Sequence, residues 1–384
     1  MTNSITTKIS SLFPTFIREK ILSIDWLLFS SAFLIALAGL VTMNSFVEEQ
    51  SHFFEKQLIW IIVSVALFFV ASVIDFRFLR KTGVVVSIFV FTCIVLTSLF
   101  VLGHVAKGAQ SWFNVGAFSI QPSDLSKLVL ILVLSKYFTR RHVEIAHIRH
   151  IVVSGVYALI LFLLILLQPD FGGAIIIFLL WFGVVMVSGI SKKHLITVLL
   201  MGVTVFSGLW FYVFQDYQKQ RIMTFINPLA DVRGAGYNAY QSMIAVGSGQ
   251  FLGKGVGYGT QSKLKFLPEY QTDFIFAAFA EEWGFVGVAI LFFLFGVMIW
   301  RISRNSMRGA SNFEMLFGMG IAIFFMIHFI INIGMNIGLL PVTGITVPFM
   351  SYGGSHLLTE FLALGIIMGM RRYGGSIHKD LLNS

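Results

Sequence analysis

Long apolar runs, separated by shorter polar stretches, cover most of this sequence. A run of about 17 to 25 mostly apolar residues is long enough to cross a bilayer as a helix. The runs predicted to do so are residues 26–43, 57–74, 83–103, 125–138, 151–167, 171–189, 195–214, 274–300, 313–340 and 357–370. The pattern therefore predicts an all-α membrane protein with ten transmembrane helices and with both termini on one side.

Composition supports a membrane protein and excludes a soluble domain. Of the 384 residues, 57% are hydrophobic and only 12% are charged, and the mean hydropathy is +0.86. Soluble domains carry about 25% charged residues. The single cysteine, Cys93, lies within an apolar run, which excludes a disulfide within the chain and a cysteine-based metal site.

The basic residues that give the net charge of +9 are distributed according to membrane side, so the charge does not indicate a nucleic-acid partner. When connections are assigned alternately to two sides, most Lys and Arg residues fall on the side of the N-terminus, which the positive-inside rule makes cytoplasmic. The predicted parts are a cytoplasmic or interfacial segment (1–25, with a short helix over 9–24), one ten-helix domain (26–372) and a cytoplasmic tail (373–384). A large extracytoplasmic loop (215–272) is predicted between helices 7 and 8.

Asp273 lies where a charged loop turns into an apolar helix. A carboxylate between water and low dielectric can have its pKa raised towards neutrality, as a general base requires. The alternative is an N-cap aspartate that accepts backbone N–H bonds. The charged residues nearby favour the functional interpretation: Lys263, Lys265, Glu269, Glu281 and Glu282.

Asp124 and Lys127 follow Pro122 and Ser123 at a helix start, and their i, i+3 spacing allows them to pair. A Lys within a spanning helix costs about 2.5 to 3.5 kcal/mol, so it should have a partner and face the protein interior. Two interpretations stay open, a structural ion pair and a cation placed for a phosphate. The short turn before residue 171 predicts that Asp170 caps the sixth helix.

The loop at 215–272 is too long to be a plain connection. Tyr237, Tyr240 and Ile244 follow helical spacing, which predicts an amphipathic or re-entrant helix at the outer interface. The glycines of residues 247–259 match neither the dinucleotide fingerprint nor the Walker loop. They are interpreted as backbone that lies close to a ligand or to the bilayer.

The last two predicted helices also carry polar groups. His328, Asn332 and Asn336 form a stripe that is expected to hydrogen-bond between helices, as packing contacts first. Glu360 is a buried carboxylate whose partner the sequence does not identify. The loop between these helices contains prolines and glycines, as irregular backbone that lines a cavity requires. No internal repeat is visible, which argues against an inverted-repeat transporter.

Six motifs together resemble the SEDS family (shape, elongation, division and sporulation) of ten-helix bacterial membrane proteins. They are QPSDLSK, QPDFGGA, INPLADVRGAGYNAYQS, GSGQFLGKG, FLPEYQTDFIFAAFAEEWGFVG and NIGMNIGLLPVTGITVPFMSYGGS. The resemblance runs from about residue 25 to 372. Two segments are more similar to the elongation member, RodA, than to the division and sporulation members. They are GTQSKLKFLPE and the PVTG loop (residues 341–345).

The resemblance implies a peptidoglycan glycosyltransferase that polymerises lipid II at the outer face of the cytoplasmic membrane during cell elongation. It also implies a class B penicillin-binding protein and the cell-elongation machinery as partners. The family's essential aspartate corresponds to Asp273, and its carboxylate–lysine pair corresponds to Asp124 and Lys127, with Asp here in place of the usual Glu. Ser111 replaces an Arg that is common in the family, so either another residue such as Lys107 supplies that charge or the charge is not needed.

The expected reaction is an inverting transfer, with Asp273 as the base on the acceptor hydroxyl, a role worth about 10² to 10⁴-fold. The cations expected at the leaving diphosphate are Lys127, Arg221, Lys263 and Lys265. Asp124, Glu269 and Ser351 complete the predicted substrate site, and Glu281 either orients Asp273 or forms an ion pair elsewhere. No metal motif is present, although Mg²⁺ or Mn²⁺ would suit the diphosphate. The alternatives are a lipid II flippase and a non-catalytic scaffold.

Overall fold

The structure is a computed structural model that describes residues 24–45, 51–106, 109–115, 118–139, 148–189, 192–212, 214, 216–226, 235–264, 266–267 and 269–382. Its helices are α1 (Trp26–Asn44), α2 (Ser51–Val73), α3 (Thr82–Leu102), α4 (Pro122–Thr139), α5 (Ile148–Leu166), α6 (Phe171–Val187), α7 (Lys192–Tyr212), α8 (Asp216–Ile226), α9 (Ala235–Ser248), α10 (Thr260–Lys263), α11 (Ile275–Met307), α12 (Asn312–Asn336) and α13 (Gly354–Leu382). A 3₁₀ turn, Phe76–Arg80, joins α2 to α3.

A helix covers most of each predicted apolar run. Seven helices in the described part are long and apolar enough to cross a membrane: α1, α2 over Phe53–Val73, α3, α5, α7 over His194–Tyr212, α11 and α12. Helix α6 is apolar but shorter. Ten crossings, the assignment of sides and the domain boundaries stay predictions. The predicted N-terminal helix at 9–24 falls almost wholly outside the described residues.

Two predicted helix ends are wrong. Helix α13 does not stop near residue 370 but continues to Leu382, so most of the predicted tail at 373–384 is helical. Helix α12 ends at Asn336, before Gly338, whose φ of 75° is one that side chains rarely adopt. The helix predicted from Tyr237 to Ile244 is confirmed as part of α9.

Polar residues cap the helices where the apolar runs begin. Asp25 accepts the N–H of Leu28 at 3.2 Å at the start of α1. Ser311 and Glu314 form a capping box at the start of α12. The predicted cap at Asp170 is confirmed by a 2.8 Å hydrogen bond from the Gly173 N–H. These caps satisfy backbone donors that have no partner inside the helix.

The bundle is held by long helix pairs. Helix α13 packs along α2, and α11 packs along both α1 and α12. At the end of the bundle that is predicted to face the cytoplasm, Arg301 of α11 contacts Asp25 at 2.5 Å. Asn305 donates to the same carboxylate at 2.8 Å. This polar contact fixes α11 against the first turn of α1.

A small antiparallel sheet precedes α4, in the connection between the third and fourth predicted helices. Its strands are β1 (His104–Ala106), β2 (Ala109–Val115) and β3 (Phe118–Ile120), in the order β1-β2-β3. Asn114 faces Ser119 in the register of the second pair. Ser111 is buried in β2. Since α4 begins directly after β3, the sheet determines where the motif at the start of α4 lies.

Helix α11 is interrupted at Gly284, which has φ 62° and ψ −163°. The main chain between α9 and α10 fills the gap, because the Phe285 N–H donates to the Gln250 carbonyl at 2.9 Å. A Cβ on Gly253 would lie 2.1 Å from the Glu282 carbonyl oxygen. The glycines of this segment therefore permit close approach to a helix, whereas the sequence suggested a ligand or the bilayer.

Candidate active site

Asp273 lies in a turn immediately before α11 and is half-buried. The N-cap residue of α11 is Phe274, so the interpretation of Asp273 as the N-cap is wrong. The carboxylate faces the PVTG loop, where a Cβ built on Gly344 would lie 3.6 Å from Asp273 Oδ2. Gly344 has φ 74°. The aspartate therefore lies against exposed main chain at the mouth of the bundle.

The polar stripe of α12 holds the backbone of Asp273. Asn332 Nδ2 donates to the Asp273 carbonyl at 2.9 Å and to the Ile345 carbonyl at 2.6 Å. Asn336 Nδ2 donates to the same Asp273 carbonyl at 3.1 Å. The predicted hydrogen bonding between helices is confirmed for Asn336, which accepts the Ser242 hydroxyl of α9 at 3.0 Å, whereas His328 contacts the Phe324 carbonyl of its own helix. The two asparagines join the Asp273 turn to the PVTG loop, which the spacing alone did not show.

The SYGG segment supports the same turn from the other side. Ser351 Oγ donates to the Thr272 carbonyl at 2.7 Å and accepts the Val347 N–H at 2.8 Å. The Tyr352 N–H donates to the Gln271 carbonyl at 2.8 Å. Ser351 is thus buried and bonded to main chain beside Asp273.

Glu269 shapes the turn that carries Asp273. Its φ is 51°, and its carbonyl accepts the N–H groups of Thr272 and Asp273 at 3.1 and 3.2 Å. Its carboxylate accepts the Thr272 hydroxyl at 3.1 Å. These contacts indicate a role in building the turn, in addition to any contact with substrate.

The predicted Asp124–Lys127 pair is formed at 2.8 Å, and both side chains are buried. Asp therefore closes the pair, although it is one methylene shorter than the Glu that is usual in the resembled family. Asp170 approaches the start of the same helix, where Ser123 Oγ lies 3.4 Å from its carboxylate. Burial raises the pKa of Asp170, and the hydrogen bond from the Gly173 N–H opposes that shift.

His356 and Glu360 are additional buried residues that the sequence analysis did not connect to the site. His356 Nδ1 lies 3.5 Å from Asp124 Oδ1, and its Nε2 lies 2.8 Å from Glu360 Oε1. Their i, i+4 spacing on a helix was the available signal. The contact with Asp124 joins α13 to α4, which only the packing of the two helices determines.

Glu281 forms the ion pair that was the second of its two predicted roles. It is fully buried in α11 and accepts Lys254 Nζ at 2.6 Å and the Thr260 N–H at 2.9 Å. Glu282 accepts the Gly257 N–H at 2.9 Å and the hydroxyl of Ser45. The alternative, an ion pair elsewhere, is what the structure contains, and both carboxylates hold the loop against α11.

The structure describes the side chain of only some of the cations that were predicted in the loop. Lys263 is exposed, and its Nζ lies 3.4 Å from the Gly257 carbonyl. Arg221 is in α8, but its side chain, like residues Lys107 and Lys265, lies outside the described part. Within the described ranges no group of three or more His, Cys, Asp or Glu side chains is placed to hold a metal.

The site therefore combines a carboxylate at the bundle mouth with a buried cation. The Asp273 turn is positioned by main-chain bonds from two other segments. Lys127 is held beside Asp124 at the start of α4. A base and a cation are the two groups that a transfer from a phosphorylated donor requires.

Known proteins are similar to this chain in sequence and in fold. A family model described as cell cycle protein, covering FtsW, RodA and SpoVE, matches residues 19–374. The chain belongs to this family. It is the SEDS family that the motifs resemble. With its apolar helices, the chain is a multi-pass protein of the bacterial inner membrane.

Two relatives carry different role names. Stage V sporulation protein E of Bacillus subtilis (strain 168) is 37% identical over 85% of this chain and 88% of its own length. Peptidoglycan glycosyltransferase MrdB of Escherichia coli (strain K12) is 35% identical over 77% of this chain and 79% of its own length. The first of these relatives is named for sporulation and the second for its glycosyltransferase activity.

Two solved structures have the same fold. The rod shape determining protein RodA of Thermus thermophilus aligns with a TM-score of 0.67 and 28% identity, over 91% of this chain and 96% of its own. A chain from "Structural coordination of polymerization and crosslinking by a peptidoglycan synthase complex" aligns with a TM-score of 0.78 and 28% identity. That alignment covers 91% of this chain and 98% of the other.

Proposed function

We propose that this SEDS protein is a peptidoglycan glycosyltransferase that polymerises lipid II into glycan strands at the outer face of the cytoplasmic membrane. The observation that carries the proposal is the set of hydrogen bonds that holds the main chain at Asp273 in place. Asn332 and Ser351 bond the main chain at and beside this residue, and its carboxylate faces Gly344. The relatives named peptidoglycan glycosyltransferases support the same activity.

Asp273 acts as the general base in this proposal. The 4-hydroxyl of the acceptor sugar attacks C1 of the donor, and its proton passes to the Asp273 carboxylate. The new C1–O bond forms as the bond from C1 to the lipid diphosphate breaks, with inversion at C1. A rigid main-chain support suits this role, because a base must be held within hydrogen-bond reach of its substrate.

Lys127 is the cation proposed for the departing diphosphate. It is held on α4 by Asp124 at 2.8 Å, so its position is defined before substrate arrives. Arg221, Lys263 and Lys265 are proposed to contribute from the loop. A divalent cation, Mg²⁺ or Mn²⁺, would accompany the diphosphate as part of the substrate, since the described residues form no cage for it.

We further propose that the chain works beside a class B penicillin-binding protein in cell elongation. The similar chain from a peptidoglycan synthase complex supports a partner that performs crosslinking. The resemblance of GTQSKLKFLPE and the PVTG loop to RodA favours elongation. A lipid II flippase and a scaffold are the competing functions. A flippase would need charges along the membrane depth, whereas the buried charges described here lie towards the helix ends.

The test is polymerisation of fluorescent lipid II by the purified protein, alone and with a class B penicillin-binding protein. Asp273→Ala and Asp273→Asn are compared with Asp75→Asn, an exposed aspartate paired with Arg77 at the other end of the bundle. We expect strands from wild type and Asp75→Asn and none from either Asp273 variant. Strands from folded Asp273 variants would remove Asp273 as the base. No strands from wild type with its partner would favour flipping or scaffolding.

A further inference from the structure

A buried chain of polar groups links the Lys127 site to the Asp273 turn. Its middle members are His356 and Glu360, one helical turn apart at the start of α13. The relative exposure of these two residues is 7% and 0%. A histidine and a glutamate at such depth need partners, and their partners define what the pair does.

On one side the chain reaches the cation site. Asp124 Oδ1 accepts Lys127 Nζ at 2.8 Å, and the same oxygen lies 3.5 Å from His356 Nδ1. The other ring nitrogen of His356 lies 2.8 Å from Glu360 Oε1. The imidazole thus stands between a carboxylate of α4 and a carboxylate of its own helix.

On the other side the chain reaches the turn of the base. Glu360 Oε2 accepts the Phe349 N–H at 2.7 Å. Phe349 has φ 63°, a conformation that is rare for a bulky residue and must be held by its surroundings. Two residues later, Ser351 donates to the Thr272 carbonyl beside Asp273.

When Asp124 and Glu360 are both ionised, the charges of this cluster balance only if the imidazole carries a proton. Asp124 and Glu360 supply two negative charges, and Lys127 supplies one positive charge. A buried charge without a counter-ion is strongly unfavourable. Two other titratable groups lie close to the cluster, His328 of α12, whose ring centroid is 5.3 Å from that of His356, and Asp170 beside Ser123.

We propose that His356 and Glu360 are positioning residues that connect Lys127 to the Asp273 loop, His356 as a cationic bridge between Asp124 and Glu360, and Glu360 as the acceptor that holds the Phe349 main chain. This role rests on the proposed polymerase function of Asp273 and Lys127. Neither residue touches the reacting atoms. Both keep the leaving-group cation and the base at a constant separation.

A double-mutant cycle tests whether His356 acts through Asp124. We expect His356→Gln to lower kcat for lipid II polymerisation by about 10 to 100-fold. The double variant with Asp124→Asn should be no slower than Asp124→Asn alone, because both changes break one unit. His150→Gln is the control, since His150 is also buried but bonds Tyr137 elsewhere, and it should keep the wild-type rate. If the falls in kcat of the two single variants multiplied in the double variant, the two residues would act independently and the proposal would be overturned.

A second measurement does not depend on activity. Protein with ¹⁵N-labelled histidine, in which the His356 signals are assigned by their loss in His356→Gln, reports protonation of both ring nitrogens. We expect a doubly protonated ring in wild type and a neutral ring in Glu360→Gln. A neutral ring in wild type, or no change in Glu360→Gln, would refute the bridge. If wild type polymerised nothing but showed these signals, only the proposed function would fail.

Discussion

The side-chain amide of Asn332 donates a hydrogen bond to the main-chain carbonyl of Asp273, with 2.9 Å between the two heavy atoms. Asn332 belongs to α12, whereas Asp273 precedes α11, so the bond joins two helices at their ends. The same amide donates to Ile345 in the PVTG loop. One buried side chain therefore sets the distance between the candidate base and the loop that faces it.

Asn332→Ala should slow polymerisation. The variant removes the side-chain donor of the Ile345 carbonyl and leaves the Asp273 carbonyl with the amide of Asn336. An unsatisfied buried polar group costs about 1 to 3 kcal/mol. If half of this cost is felt in the transition state, the rate falls by about 2 to 13-fold. Initial rates with saturating lipid II measure the effect. Asn305→Ala, which removes a buried amide at the opposite end of α11, should keep the rate per folded molecule. Equal losses in both variants would contradict a positioning role.

Gly344→Ala should reduce activity without unfolding the protein. Gly344 is exposed, with φ 74°, and faces Asp273 Oδ2 at the distance of ordinary contact. A side chain there strains the main chain by about 1 to 2 kcal/mol and places a methyl group in contact with the carboxylate. Gly83→Ala, which meets no atom within 4 Å, is the matched control. Wild-type kinetics in Gly344→Ala would show that this face of Asp273 is not used.

Asp25→Asn should lower stability but not the activity of the folded protein. Burial raises the pKa of Asp25, but hydrogen bonds from Arg301 and Asn305 outweigh it and leave the pKa below its ordinary value. Removing one member of a buried pair costs about 3 to 5 kcal/mol. Since the folded-state pKa is lowered, this stabilisation is present at neutral pH and is lost as the pH falls through that pKa.

Thermal unfolding in detergent at several pH values checks the Asp25 prediction. The difference between wild type and Asp25→Asn should be large at pH 7 and should shrink below about pH 4. Asp75→Asn is the control, because Asp75 also pairs with an arginine but is exposed. Exposed pairs contribute only about 0 to 1 kcal/mol. A difference that grows in acid would contradict the assigned charge state.

Gly253→Ala should destabilise the fold. The added Cβ would lie 2.1 Å from a main-chain oxygen, which cannot move aside as a flexible side chain can. Overpacking of this kind costs about 1 to 3 kcal/mol, and the φ of 81° adds strain. Gly247→Ala in α9, where nothing lies within 4 Å, should be neutral. The folded yield after size-exclusion chromatography and the unfolding temperature separate the two variants, and similar values for both would disprove the close contact.

The helices were predictable because apolar runs of membrane length have few alternative structures. Predictions failed where the local pattern is weak. The strands between His104 and Ile120 are short and paired by main chain, so no apolar alternation marks them. The continuation of α13 to Leu382 was missed because the apolar run ends near residue 370, while helix formation does not require an apolar face there.

The site was partly predictable for a similar reason. Asp124 and Lys127 are three positions apart, so helical geometry alone brings them together. The proximity of His356 to Asp124 depends on the packing of two helices that are distant in sequence, and no local pattern contains it. The sequence pattern does not identify the partner of Glu281 either, because Lys254 reaches Glu281 only when the glycine-rich segment (residues 247–259) packs against α11.

The interruption of α11 at Gly284 also limits how this chain can vary in length. Loops outside a membrane usually accept inserted residues, because nothing depends on their register. Here the main chain from Gln250 to Gly255 supplies both donors and acceptors to α11 on either side of the break. One residue inserted between Phe251 and Lys254 would shift the two carbonyl acceptors out of register with the two N–H donors. Natural relatives should therefore keep the number of residues in this segment constant, even where its side chains differ.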